Sequence, residues 1–391
     1  MTEARREDDE VRVRCVSVSA LILAVIMTIV PVMVSAQVAT PEIPTADIGH
    51  ARVIGMQVVP NDLMVDDTLV GGLSGLDYDP QTGQWIAISD DRSQNAPARF
   101  YTLDLAYSST SFESVAVEHA VTLLQADGTP YPPKVDGGNV ADIESVRFDP
   151  LTGLVWYATE ADVSLRLPPW IAVSTLSGQF VSQPTLPSMF ALDPEGIVGP
   201  RDNQGFEGLS FSADGNTVWL GLENGLLQDG PLATHEHGAT TRISNIDRSG
   251  RLLNQYAYEL EAIPVETPAY FDTGMSDLLT VDATHFLTLE RTTVQDAQGE
   301  YNNFIRIFEI DITGATDIKG RAWLDGEAFV PVSKTLVLDL NATGIELDNI
   351  EGMTWGPELD NGNRSLILVS DNNFSPLQIT EFVVIEIESQ D

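Results

Sequence analysis

Gln204-Gly-Phe-Glu-Gly-Leu-Ser-Phe-Ser-Ala-Asp-Gly-Asn-Thr-Val-Trp-Leu-Gly-Leu-Glu-Asn224 reads as a strand, a tight turn and a second strand. Asp214-Gly215 is the dipeptide that hairpin loops favour, because a two-residue turn needs left-handed backbone that glycine adopts without strain. Val218, Leu220 and Leu222 alternate with other residues, which is the period of a strand with one face buried. One acid, Glu207, sits near the start of the first strand, and another, Glu223, ends the second.

The unit recurs four more times. The copies are Gly72-Leu-Ser-Gly-Leu through Asp91, Asp142-Ile-Glu-Ser-Val through Glu160, Gly274-Met-Ser-Asp-Leu through Glu290, and Asn349-Ile-Glu-Gly-Met through Asp371. Aligned, they give one column of Ser74, Glu144, Glu207, Ser276 and Glu351, and a second of Asp90, Glu160, Glu223, Glu290 and Asp371. The copies begin roughly 63 to 75 residues apart, a spacing that points to a repeat architecture.

Each of the first four hairpins is followed by two more strand-like runs, for example Arg99–Leu105 and Ser114–Val121 after the first. The fifth is followed only by Ile379–Ile387, and a lone strand, Ala51–Val59, precedes the first. That lone strand supplies the missing fourth member of the last unit. The reading is therefore all-β: a β-propeller of five four-stranded blades, with six as the alternative count, closed by an N-terminal strand that removes two open sheet edges. The propeller occupies residues 51–391, after a linker over 37–50.

Residues 1–36 read differently. Arg5, Arg6, Arg12 and Arg14 stand among five acids, and an uncharged apolar run follows from Cys15 to Val34. Val34-Ser-Ala36 has the small-x-small form of a signal-peptidase site, so the segment is expected to be a cleaved signal peptide and the protein periplasmic or secreted. An uncleaved anchor is the alternative, and is the only route by which a membrane is expected to enter. The single cysteine, Cys15, lies in this run, so the exported part has no disulfide and no thiol chemistry. The net charge of −38, from 58 acidic and 20 basic residues, disfavours nucleic acid and anionic membranes as partners. A monomer acting on a small anionic or ester substrate is expected.

In a propeller the start of a blade's first strand and the end of its second lie on one rim of the central channel. The two columns should therefore form a double ring of acids at that mouth. Ser74 and Asp90, Glu144 and Glu160, and Glu207 and Glu223 are each sixteen residues apart around a centred turn, which suggests direct pairing across each hairpin. Opposed like charges destabilise a sheet, so the pairs need a reason. Three stand open: a hard cation such as Ca²⁺ bound among the oxygens; neutralisation by Arg92, Arg201 and Arg291; or carboxyls kept protonated by raised pKa. A fourth is plain capping of strand ends. His235-Glu-His237 could bind a transition metal, but it lies in a Gly-rich loop with no third ligand indicated.

The repeated Gly72-Leu-Ser-Gly-Leu, Asp142-Ile-Glu-Ser-Val, Gln204-Gly-Phe-Glu-Gly-Leu and Asn349-Ile-Glu-Gly-Met resemble the phytase-like family. So do Ala87-Ile-Ser-Asp-Asp91 with Arg92, and Val369-Ser-Asp-Asn372. The resemblance covers about residues 50–388. It implies an esterase-like activity, and the leading expectation set beside it is an esterase- or phosphatase-type hydrolase with Ca²⁺ held by the acid columns, Asp90, Glu144, Glu160, Glu207, Glu223, Glu290, Glu351 and Asp371. Glu144, Glu207 and Glu351 would carry catalysis, and Arg92, Arg201 and Arg291 would bind the anionic group. True β-propeller phytases are a more distant comparison, being six-bladed calcium enzymes with a cation-rich rim. Five blades and the absence of a dense Lys/Arg cluster separate this chain from them. The rival reading is a non-catalytic propeller that binds a ligand or protein at the same rim.

Overall fold

The structure is a computed structural model, and it describes residues 48–266, 270–296 and 298–388. The expected signal peptide, residues 1–36, lies outside the described residues.

The five hairpins become the two inner strands of five antiparallel blades. Blade one is Leu73–Asp79, Gln84–Ser89, Arg99–Tyr107 and Phe112–Thr122. Blade two is Ile143–Phe148, Val155–Thr159, Ile171–Ser174 and Phe180–Ser182. Blade three is Phe206–Phe211, Thr217–Leu222, Ala239–Asp247 and Leu252–Leu260. Blade four is Tyr270–Thr280, His285–Gln295, Tyr301–Asp311 and Ser333–Asp339. Blade five is Asn349–Trp355, Arg364–Asp371 and Thr380–Ile387, completed on its outer edge by Ala51–Val59. No α-helix occurs among the described residues.

Neighbouring blades pack face to face, so the second strand of a blade is apolar on both faces. Trp85 and Ala87 of blade one pack against Ile367, Val369 and Phe382 of blade five, while Ile86 and Ile88 from the same strand pack against Ile143, Val146 and Tyr157 of blade two. The other three interfaces repeat the arrangement, with Leu209 and Leu220 against blade two, Trp219 against Phe286 of blade four, and Leu289 against Met353 and Leu368 of blade five. The core is thus five wedges rather than one centre. This explains why the second strands read as nearly continuous apolar runs.

The N-terminal strand pairs with Thr380–Ile387 from Ala51↔Ile387 to Val59↔Thr380. An ion pair between Arg52 and Glu386 lies beside this junction. Closure is made by hydrogen bonds between the two ends of the propeller, as the strand count requires.

One local feature shapes the mouth. In every blade the innermost strand carries a β-bulge, between Leu73 and Gly75, Ile143 and Ser145, Phe206 and Gly208, Met275 and Asp277, and Ile350 and Gly352. The bulged residue is Ser74, Glu144, Glu207, Ser276 or Glu351, the whole first column of the repeat. A bulge leaves its residue without a cross-strand partner and re-aims the side chain.

Candidate functional site

The bulge changes the pairing of the acids. The second-column residue stands opposite the residue two before the bulge, not opposite the bulged one. Asp90 N donates to Gly72 O, Glu160 N to Asp142 O and Glu223 N to Gly205 O, at 2.9, 3.0 and 2.9 Å. Asp371 pairs with Asn349. The expected direct pairing of Glu144 with Glu160 and of Glu207 with Glu223 is therefore corrected by one bulge in register.

In blade four the same geometric position, opposite Gly274, belongs to Arg291. Glu290 falls one residue short and points to the other face of the strand. There it accepts from Tyr258 Oη at 2.6 Å, Lys334 Nζ at 2.7 Å and Glu261 N at 3.2 Å. The placement of Glu290 among the ring ligands is thus a misalignment, and the ring is four acids and one arginine.

Close packing of the blades brings these side chains together. Glu160 and Glu223 each lie over a glycine of the next blade. A Cβ on Gly274 would stand 2.3 Å from Glu223 Cγ, and one on Gly205 would stand 2.6 Å from Glu160 Cα. Gly205 N donates to Glu160 Oε1 at 3.0 Å. Two triads result: Asp142, Glu144 and Glu160, and Glu160, Glu207 and Glu223. Within each, one carboxylate oxygen per residue lies within 4.8 Å of the others. All five side chains are buried, and Glu207 Oε2 has no hydrogen-bond partner.

The electrostatics follow from burial. Desolvation, and then neighbouring carboxylates, hold Asp90, Glu144, Glu207, Glu223 and Asp371 well above the usual carboxylate range. Glu160 is pushed up to about 8, by burial first and Asp142 second. Burial raises Glu351 also, partly offset by Arg291, and Asn349 Nδ2 donates to its Oε1 at 2.8 Å. Arg291 Nη2 stands 3.5 Å from both Glu223 Oε1 and Asp272 Oδ2, and 3.7 Å from Glu351 Oε1. Arg92, in left-handed backbone at φ 51°, reaches Asp142 Oδ1 at 2.6 Å and Asn203 Oδ1 at 2.8 Å. Two arginines cannot neutralise this many acids. The donor set is all hard oxygen and includes an orphaned buried carboxylate oxygen, which fits a cation such as Ca²⁺.

The cavity measures about 550 Å³. Asp90, Glu144, Glu160, Glu207, Glu223, Glu351 and Asp371 line it, as do Arg92 and Arg291. Arg201 does not. It braces the loop that follows Thr217–Leu222, with Nε donating to Gly225 O at 2.9 Å and Nη2 to Gly230 O at 2.6 Å. Its expected role at the anionic group is therefore not one its position supports. His235 and His237 are exposed and lie outside the cavity. Below the acids, Arg147 Nη2 reaches both oxygens of Asp277 at 2.9 Å and the Met353 carbonyl at 3.1 Å, tying blades two, four and five across the axis.

Sequence reasoning missed Asp142, Asp272, Tyr270 and Tyr301. Asp142 opens the quoted motif Asp142-Ile-Glu, two residues before the bulge, and a bulge-aware alignment finds it. The other three belong to an extension of blade four. Its first strand starts six residues before the bulged position, against one or two in the other blades. That is roughly 13–16 Å of additional strand beyond the ring. The extension pairs Tyr270 with Gln295, and Gln295 with Tyr301.

Residues 68–374 match the family described as "Phytase-like: Esterase-like activity of phytase". No curated protein matches the chain. Among solved structures, the catalytic domain of the Coprinopsis cinerea GH62 α-L-arabinofuranosidase is similar at 8% identity and a TM-score of 0.42, over 88% of this chain and 98% of that one. The α-L-arabinofuranosidase PaAbf62A from Podospora anserina is similar at 10% identity and 0.40, over 86% and 97%. MPT-4, a mannose phosphorylase from Leishmania mexicana, is similar at 8% identity and 0.37, over 84% and 88%. These likenesses are too remote to bear on chemistry.

Proposed function

The chain belongs to the phytase-like family, and from that premise we propose that it is a calcium-dependent hydrolase of a phosphate ester or related ester, working at the acidic mouth. The observation that carries the reading is the buried carboxylate of Glu207, one oxygen of which has no partner, set between Glu160 and Glu223. A buried, unpaired anionic oxygen among like charges is costly unless a cation joins it.

Asp142, Glu144, Glu160, Glu207 and Glu223 would hold the ion, with Asp90, Glu351 and Asp371 around the same cavity. Bound there, Ca²⁺ would supply Lewis-acid polarisation of the ester oxygen and of water. Arg291 and Arg92 would orient the anionic part of the ester through charge-assisted hydrogen bonds. Glu351, raised by burial, is placed to hold a proton for the departing oxygen. Glu144 and Glu207 would bear on the reacting centre from the same cavity wall that holds the ion. The protein would act as an exported monomer whose mature chain starts near Gln37, in the periplasm or outside the cell.

The test is a screen of chelator-treated protein against phosphate monoesters, phosphate diesters, carboxylic esters and lactones, before and after Ca²⁺ is restored. Calcium-restored turnover of one class is the expected result. Calcium binding with no turnover of any class would leave a ligand-binding propeller in its place.

A further inference from the structure

The extension of blade four belongs to no repeat, and its residues alternate. Tyr270 and Asp272 on the first strand, Arg291 and Thr293 on the second, and Tyr301 and Asn303 on the third all face the cavity. The residues between them, such as Phe271, Thr292 and Asn302, are absent from its lining. The extension is thus a wall with one face on the mouth. Tyr270 is 49% exposed and Tyr301 61%, although their rings meet edge to face at 6.3 Å. Two large aromatic surfaces therefore stand open above the acids.

The charge beneath them is lopsided. Ten carboxylates and two guanidiniums line the cavity, and both guanidiniums are already engaged by acids. A polyphosphorylated substrate would meet ten acidic side chains and only these two guanidiniums, enough for one anionic group and not for several. The rest of the wall offers uncharged hydrogen-bonding groups. Thr293 Oγ1 donates to Asn303 Oδ1 at 2.6 Å, which commits that oxygen and leaves the amide nitrogen of Asn303 as a donor.

We propose that this wall selects the substrate, and that the substrate is a single ester carried on an uncharged, hydroxyl-bearing ring, whose face lies against Tyr270 and Tyr301. This rests on the ester-hydrolase reading above and narrows it. An open aromatic surface favours a ring face. The amide and hydroxyl groups favour a polyol over a bare hydrocarbon, and the acids exclude a polyanion.

Calorimetric titration of the calcium-loaded full chain tests the proposal, with an acetylated glucose and inositol hexakisphosphate as probes at physiological salt. The acetylated glucose should bind, and the double variant Tyr270→Ala/Tyr301→Ala should weaken it about tenfold, the scale of two lost aromatic contacts. Inositol hexakisphosphate should give no heat beyond that of its titration into the same calcium buffer without protein. Both tyrosines are largely exposed, so the variant should melt with the wild type, and Tyr270→Phe/Tyr301→Phe should restore affinity. Tighter binding of the hexakisphosphate, no binding of the acetylated glucose, or equal affinity in the alanine variant would overturn the proposal. Hydrolysis measured alongside separates the two readings. A tyrosine-dependent affinity without calcium-dependent hydrolysis keeps the wall and removes the hydrolase. Hydrolysis with KM unchanged in the alanine variant keeps the hydrolase and removes the wall.

Discussion

Arg291 Nη2 stands 3.5 Å from Glu223 Oε1, and Arg291 occupies in blade four the place that an acid holds in the other four blades. The five-membered ring thus carries one built-in cation among its acids. Removing it should leave Glu223, Asp272 and Glu351 uncompensated. Arg291→Met is expected to destabilise the metal-free protein by about 3 kcal/mol, the scale for breaking a buried pair from one side. Ca²⁺ should then raise the melting temperature more in the variant than in the wild type. Thermal melts with chelator and with Ca²⁺ check both signs. Equal calcium shifts would mean that Arg291 and the ion do not share these acids.

Misreading Glu290 for Arg291 shows where the sequence stops being legible. The period, the hairpin turns and the missing fourth strand are properties of chain order, and they sufficed for five blades and the N-terminal closure. The first acid column was legible because every blade repeats it. A bulge, however, is a one-residue change of register that leaves no mark in composition, and it shifted the partner of every second-column acid. In blade four, where the copy is weakest, it also shifted the alignment by one. The wall carrying Tyr270, Asp272 and Tyr301 was invisible because it belongs to no repeat. Arg201 is close to the ring along the chain, but two loop carbonyls decide where its guanidinium goes.

Glu207→Gln separates metal binding from strand capping. The substitution keeps shape and removes one charge. Burial and the neighbouring acids Glu144, Glu160 and Glu223 hold the carboxyl above its usual range, so removing its charge relieves that repulsion. Without metal the variant should be as stable as wild type or more so. With Ca²⁺ it should gain less than the wild type, which at a hundredfold excess of ion over the dissociation constant should gain about 2.7 kcal/mol. Loss of stability without metal, and no calcium response in either protein, would point to a carboxylate satisfied by the protein alone.

The pH dependence of the metal-free protein has a definite sign. Glu160 rises from 4.5 to about 8 on folding, so between those values the folded state binds more protons than the unfolded state. Stability contributed this way is fully present below the unfolded value and is lost as pH rises through the folded one. Asp90, Glu144, Glu207, Glu223 and Asp371 are raised in the same direction. In chelator, the melting temperature should therefore fall as pH increases across this window. Calcium affinity should rise over the same range, because the ion binds the deprotonated acids and releases their protons. A melting temperature in chelator that climbs with pH would contradict the buried-acid description.

The floor beneath the acid ring, outside the cavity lining, makes a separate prediction. Arg147 and Asp277 are both buried, and Met353 N also donates to Asp277 Oδ2 at 2.8 Å. Asp277→Ala should strand the Arg147 guanidinium at the axis and cost about 3–5 kcal/mol. Replacing the pair together, Arg147→Met with Asp277→Leu, should recover much of that loss. Neither residue lines the mouth, so the calcium-induced shift in melting should stay at its wild-type size in both variants. A changed calcium shift would show that the floor and the acid ring are one network.

Closure by the first strand can be tested by deletion. Ala51–Val59 is the outer strand of blade five and, among the described residues, pairs with the far edge of Thr380–Ile387. Without it, the edge of Thr380–Ile387 becomes an unpaired row of backbone donors and acceptors, a template for association with other chains. Val53 and Met56 also pack into the cluster between blades four and five, so their apolar contact is lost at the same time. A chain starting at residue 60 should aggregate, or melt well below the intact protein. Adding a synthetic peptide of residues 50–60 should restore solubility by pairing in the same register. A conservative control keeps the strand and replaces Arg52 with Gln, which removes only the half-exposed ion pair to Glu386 and should cost within about 1 kcal/mol. A truncated chain that stays monomeric with unchanged melting would show that the propeller is held shut by its inner strands and wedge cores alone.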